Sequence, residues 1–189
     1  MRSMTLEPGL RLDPARLRDA RELHAAVTAN RAHLRRWLPW AAGRFYRIAE
    51  TRRFLRLVAR QARRGEPGQR CWLIRLDGRI VGSIGFVRLS PEQGRTEIGY
   101  WLAKEACGRG IATKASRRLL AEAFGTMRLN RVEIVCGTGN RASRAVPRRL
   151  GMRLECVQRQ AGKVGRRVLD LAVYAMLRSE ARRMLKSPR

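Results

Sequence analysis

The sequence predicts an α+β fold, a mostly antiparallel, mixed sheet with helices on both faces. Three features carry the prediction. The first third of the 189-residue chain places apolar residues at helical spacing. From Cys71 the pattern changes to apolar runs rich in Val, Ile and aromatic residues, cut by Asp77-Gly78 and by Pro91-Glu92-Gln93-Gly94 as hairpins require. After Leu102 helical and strand patterns alternate, so the order reads ββββαβαβ behind an N-terminal helical section. The length suits one domain with a sizeable core.

Residues 1–8 read as a loose start, 9–178 as the single domain and 179–189 as a basic C-terminal tail. A short strand is expected at 10–12. Asp13-Pro14 has the form of an N-cap and first-turn proline for a helix over 15–30, with Leu17, Leu23, Ala26 and Val27 inward. A second short helix over 31–37 ends near Pro39. Residues 46–64 spread Ile48, Phe54, Leu55 and Val58 among many arginines, an amphipathic helix that stops before Gly65. Strands follow at 71–76, 79–89 and 95–102. A helix over 110–124 turns Ala115, Leu119, Leu120, Ala123 and Phe124 to one side. A β-branched strand at 131–136, a helix at 140–150 stopped by Gly151, and strands at 152–159 and 168–177 complete the chain.

Composition narrows the function classes. The 42 Lys and Arg against 15 Asp and Glu give a net charge of +27, almost all of it from arginine. Such a field attracts nucleic acids, acidic proteins and polyanionic cofactors, whether its origin is functional or a GC-rich genome. Cys71, Cys107, Cys136 and Cys156 are too far apart for zinc-type pairs, and two histidines do not make a metal site, so no metal is expected. Cys71 and Cys136 lie in strand-like runs and read as inert core thiols. No apolar run approaches the roughly 18 residues of a membrane span. The N-terminus lacks an apolar leader core and carries Glu7, Asp13, Asp19 and Glu22, which argues for the cytoplasm and against a membrane or transit role.

The most informative segment runs from Glu97 to Thr113, a strand leading through a glycine-bracketed turn into a helix. Gly108 and Gly110 flank Arg109, and Ile111, Ala112 and Thr113 open the helix. Helix-opening amides lack internal partners and sit at the positive end of the dipole, so the turn suits an anion such as a pyrophosphate. A tight turn requiring positive φ is the plainer alternative. The chain has neither a Walker loop nor a dinucleotide fingerprint with its downstream acid.

Five ordered motifs carry a resemblance: R-A-H-L-R-R-W-L-P-W (31–40), E-I-G-Y-W-L (97–102), G-R-G-I-A-T (108–113), N-R-V-E-I (130–134) and G-N-R-A-S-R-A-V-P-R-R-L-G-M (139–152). Together they resemble the ribosomal-protein N-terminal acetyltransferases of the RimJ/RimL type, within the GNAT superfamily, over residues 9–178. The resemblance implies the GNAT fold, acetyl-CoA as co-substrate, a homodimer, and an association with ribosomes. It implies cofactor contacts from the loop residues Cys107, Gly108, Arg109, Gly110, Ile111, Ala112 and Thr113. Backbone groups of Trp101 and Leu102 would bind the pantetheine arm where their strand splays from 131–136, and Asn140 and Ser143 would also contact the cofactor. Gly110 and Ala112 match the family loop, whereas Cys107 stands where Gln or Arg is usual. Its thiol is either a gap filler or, near a helix N-terminus, one with a lowered pKa.

The catalytic candidates follow from the same resemblance. Glu97 starts the active-site strand and is the candidate general base; a strand-end ion pair is the alternative. Ser143 is the candidate proton donor to the leaving thiolate; helix capping is the alternative. Pro147 removes the helix bond to the carbonyl of Ser143 and loosens that turn. Relatives often carry an acid where this chain has Gly162, which leaves Glu97 to act or the activity impaired. Trp37, Trp40 and Tyr100 are expected to wall the acceptor site, with core packing as the alternative for the tryptophans.

The acceptor is a primary amine that must be neutral to attack. Deprotonating Lys at pH 7 costs about 3–4 kcal/mol more than deprotonating an α-amine, so one modest base suits a protein N-terminus, and the charge suits an acidic one. A small-molecule amine or antibiotic is a rival acceptor. A catalytically weak module that docks on RNA or ribosomes is a rival from another class.

Overall fold

The computed structural model describes residues 1–43, 46–64 and 66–181. Eight strands form one sheet: β1 (Met4–Glu7), β2 (Leu10–Pro14), β3 (Gly68–Leu76), β4 (Arg79–Leu89), β5 (Arg95–Leu102), β6 (Arg131–Gly137), β7 (Arg153–Val164) and β8 (Arg167–Leu177). Their order is β1-β2-β3-β4-β5-β6-β8-β7. Every neighbouring pair is antiparallel except β5 and β6. The expected α+β architecture is the one found.

Strand alternation divides the core between two helical layers. Cys71 and Leu73 of β3 face α1 (Ala20–Ala29), α2 (Arg31–Leu34) and α3 (Ile48–Arg64), packing with Leu23, Val27, Leu34, Leu55 and Val58. Trp72 and Ile74 face the other way, toward α4 (Ile111–Ala121) and α5 (Arg141–Arg149), with Phe86, Ile98, Leu119, Leu120 and Val146. On β5 the same rule sends Trp101 to the first layer and Ile98 and Tyr100 to the second.

Two elements and one side chain differ from the sequence expectation; Leu17, expected inward, is 46% exposed in the turn before α1. Met4–Glu7, read as part of a loose start, forms β1, because Met4 is buried and pairs with Leu12. Asp13-Pro14 does not begin a helix; β2 stays extended through Pro14, which pairs with Trp72, and helical turns start at Leu17. The Asp13 carboxylate, free of any cap, lies 3.3 Å from Nε of Arg75 and 2.8 Å from Nη2 of Arg11. Asp19 takes over the capping, accepting from the Arg16 amide at 2.9 Å. Of the tail expected at 179–189, residues 182–189 lie outside the described residues.

Candidate active site

The parallel pair β5/β6 creates the site. It is in register over only three residues, Arg95↔Arg131, Thr96↔Val132 and Glu97↔Glu133. Beyond Glu97, β5 goes on pairing with β4 to Leu102, and β6 goes on pairing with β8 to Gly137. The strands therefore diverge and leave two facing edges whose backbone groups have no strand partner across the gap, Trp101 and Leu102 on one side. A chain of amides and methylenes can enter there as an added strand.

The glycine turn lies at the end of β5. Cys107 precedes it, and Gly108 and Gly110 both take positive φ, 79° and 75°, on either side of Arg109. Gly110 caps α4, and the first internal bond runs from the Lys114 amide to the Gly110 carbonyl at 3.0 Å. The amides of Ile111, Ala112 and Thr113 thus have no helical acceptor. The Thr113 hydroxyl is buried without a hydrogen-bond partner among the described residues. These groups fit the diphosphate of a CoA. Cys107 corrects one expectation: partial burial and Glu105 raise its pKa rather than lower it, and the thiol donates to the Ala103 carbonyl at 3.4 Å.

Across the gap, Asn140 caps α5 by accepting from the Ser143 amide at 3.1 Å. Pro147 sits inside this helix and has no N–H to give the Ser143 carbonyl. That carbonyl instead accepts from the Tyr100 hydroxyl at 3.0 Å, and the two side-chain oxygens, Tyr100 Oη and Ser143 Oγ, lie 3.2 Å apart. Tyr100 thus bridges β5 and α5 on the second-layer face, beside Cys136. It is not grouped with Trp37 and Trp40. Burial pushes its phenol well above the usual tyrosine range, as it pushes the Cys136 thiol up. Cys71, wholly enclosed, is pushed up to about 12.

Glu97 faces the first layer. Its side chain is 14% exposed, and Arg88 Nη1 lies 3.2 Å from Oε2 without an aligned hydrogen bond. Burial raises its pKa, Arg88 opposes, and Glu133 in the adjacent register adds to the rise. Arg131 binds Glu133 through Nε at 2.8 Å and Glu155 through Nη1 at 2.9 Å. Those two carboxylates are committed to Arg131, whereas Oε2 of Glu97 accepts no hydrogen bond among the described residues. A side chain at Gly162 would meet Leu171 Cδ2 at 2.8 Å, on the face that carries Gly137.

The same face carries the aromatic residues. The Trp37 ring lies where a Cβ on Gly137 or Gly139 would be 3.4 Å from it, so those glycines admit it onto the end of β6. Trp40 is 45% exposed; its ring is 6.4 Å from Trp101 and 5.9 Å from Tyr46, which stacks on His24 at 5.4 Å. Neither Tyr46 nor His24 belongs to a sequence motif that would mark it; only the fold gathers them. Among the described residues no cluster of His, Cys, Asp and Glu could hold a metal, and no helix is long and apolar enough to cross a membrane.

Known proteins share this arrangement. The acetyltransferase (GNAT) domain family matches residues 9–153. YdaF of Bacillus subtilis, provisionally named a ribosomal N-acetyltransferase, is 42% identical over 104 residues, 55% of this chain and 57% of its own length. The ribosomal-protein-serine acetyltransferase of Escherichia coli is 31% identical over 106 residues, 56% of this chain and 59% of its own length. The chain thus spans under two thirds of either relative. Among solved structures, RimL, a ribosomal L7/L12 α-N-protein acetyltransferase in complex with coenzyme A, superposes with a TM-score of 0.87 at 27% identity, covering 93% of this chain and 97% of that one.

Proposed function

The chain belongs to the GNAT acetyltransferase family, and on that premise we propose that it transfers acetyl from acetyl-CoA directly to a primary amine, the N-terminal α-amine of a ribosomal protein. The observation that carries this reading is the split between β5 and β6, with the glycine turn and α4 N-terminus at one end and the Tyr100–Ser143 pair across it. Acetyl-CoA supplies the activated acetyl thioester. The residues of this chain do the rest. The free amides of Ile111, Ala112 and Thr113 hold the diphosphate. The edges of β5 and β6 align the arm. Glu97 takes a proton from the attacking amine, directly or through one water, and its burial tunes it toward a neutral-pH base. The Ser143 hydroxyl gives a proton to the departing sulfur and takes one from the Tyr100 hydroxyl 3.2 Å away, which regains its own from solvent; burial keeps the phenol protonated between turnovers.

The α-amine is preferred over Lys because one half-buried carboxylate must suffice, and the α-amine is easier to deprotonate by about 3–4 kcal/mol. The RimL likeness supports a ribosomal protein as the acceptor, and the +27 charge supports an acidic one. The proposal includes cytoplasmic location and a homodimer; β7 supports the latter as an edge strand that exposes Leu154 and Val157.

The test is thiol release from acetyl-CoA with a panel of peptides bearing free Ser or Ala N-termini and acidic residues after them. N-terminally blocked copies retaining a Lys are the control. Release confined to free N-termini is expected. Release with the blocked Lys peptides, or with small amines alone, overturns the acceptor assignment.

A further inference from the structure

We propose that the outward face of α3 is a docking surface for the phosphate backbone of RNA, set beside the acceptor mouth. The helix, Ile48–Arg64, holds Arg52, Arg53, Arg56, Arg60, Arg63 and Arg64 against a single acid, Glu50. At about 100° per residue, all six arginines fall within an arc of about 120°. The arc lies opposite Thr51, Leu55 and Val58, which are buried against the sheet. From Arg52 to Arg64 the stripe is about 18 Å long at 1.5 Å per residue.

Five of these six arginines are also uncommitted. Some guanidinium groups on the sheet are absorbed by carboxylates, Arg75 by Asp13, Asp19 and Glu22, and Arg131 by Glu133 and Glu155. Among the described residues, Arg52, Arg53, Arg56, Arg60 and Arg63 make no ion pair and no side-chain hydrogen bond, and Arg64 meets only Glu66 at 3.3 Å. A rigid helix thus presents at least five free forks of a shape that grips phosphate two oxygens at a time.

The chemistry selects among polyanions. A bilayer-binding helix must keep an apolar face to bury in lipid, and this one spends its apolar face on the core. Its exposed apolar groups are Phe54 and Leu57 at the stripe's flank, suited to stacking on bases. A protein partner's interface is built around an apolar centre depleted of charge, whereas nucleic-acid interfaces are strongly positive throughout. The position favours RNA. Thr51, next to Arg52, donates to the Tyr46 hydroxyl at 2.9 Å, and Tyr46 packs on Trp40 at the acceptor face. A strand held on the stripe would run up to the mouth that receives the amine. The choice of RNA over DNA rests on the ribosomal acceptor proposed above; the phosphate-binding stripe does not.

The experiment measures anisotropy of a labelled, unstructured 20-nucleotide RNA between 0.1 and 0.3 M salt. It compares the whole protein with two variants that lose equal charge. One carries R52Q, R56Q, R60Q and R63Q. The other carries R2Q, R21Q, R79Q and R159Q at exposed sites outside α3. With about 0.7 ion released per single-strand phosphate contact, the stripe variant should lose roughly 2.8 from the slope of log K against log salt. Its affinity at 0.1 M should fall by two to three orders of magnitude, on the order of five-fold per contact. The second variant should stay within about ten-fold of the parent. CoA should not compete, because α3 and the α4 turn pack on opposite faces of the sheet. Equal losses in both variants, displacement of RNA by CoA, tighter binding to duplex DNA, or a preference for phosphatidylglycerol vesicles would each overturn the assignment. Thiol release with a short peptide should be unchanged in the stripe variant. Its absence from all three proteins would defeat the acetyltransferase reading while leaving the RNA result to stand alone.

Discussion

Replacing Tyr100 by Phe keeps a buried ring and deletes one oxygen, which makes it the sharpest probe of the site. Two contacts vanish, the bond to the Ser143 carbonyl at 3.0 Å and the 3.2 Å contact with Ser143 Oγ. The carbonyl has no second source of a helix bond, because residue 147 is proline. An orphaned acceptor costs about 1–3 kcal/mol. At about 2 kcal/mol, a domain of this size should lose about 4–8 °C in Tm. Ser143→Ala keeps the carbonyl bond and should cost about 1 kcal/mol or less. Catalysis should rank the variants differently. If the two hydroxyls pass one proton to the leaving sulfur, each single variant lowers kcat by about 10²–10⁴, and KM for acetyl-CoA hardly moves. The double variant should be little worse than either single, since members of one relay are not additive. Stopped-flow and steady-state thiol release, with calorimetric Tm values alongside, decide the matter. Full kcat in Ser143→Ala, or independent losses that multiply in the double variant, would refute the shared relay.

Four further outcomes follow from the site. Glu97→Gln should lower kcat/KM by about 10²–10⁴ and abolish the acidic limb of the pH profile, which lies above the ordinary carboxylate value because burial raises this group. The stability sign is opposite: a raised carboxylate contributes most at low pH and loses that contribution as pH rises through its folded value, so Glu97→Gln should be more stable than the parent at pH 7 and equal to it at pH 4. Gly110→Ala meets no atom within 4 Å but must hold φ at 75°, costing about 1–2 kcal/mol, and calorimetry should show weaker CoA binding as the loop amides shift. Trp40→Ala should raise KM for the peptide several-fold and leave acetyl-CoA affinity and Tm nearly unchanged, given the exposure of the ring. Cys107 should alkylate slowly at pH 7 and faster as pH rises, and Cys107→Ala should leave CoA affinity within about two-fold, because burial and Glu105 hold the thiol protonated and the loop binds through amides.

What the sequence disclosed was local, and what it concealed was pairing across distance. The glycine turn, the Asp77-Gly78 hairpin and the amphipathic run of α3 are written in neighbouring residues, and each appears where expected. Asp13-Pro14 has a genuine cap signature, yet Arg75 on β3 claims the carboxylate and β3 claims the backbone. Met4–Glu7 is too short to announce a strand; it becomes one only beside β2. The case of Ser143 shows where the boundary falls. That Pro147 frees the carbonyl four residues before it can be read from spacing alone. That a tyrosine 43 positions earlier occupies it cannot, because strand periodicity leaves open which face of β5 is turned to α5. The proline and the tyrosine therefore form one device. A helix that satisfied its own carbonyl would hold Tyr100 less firmly, and the phenol would lose the fixed contact with Ser143 Oγ on which its role depends.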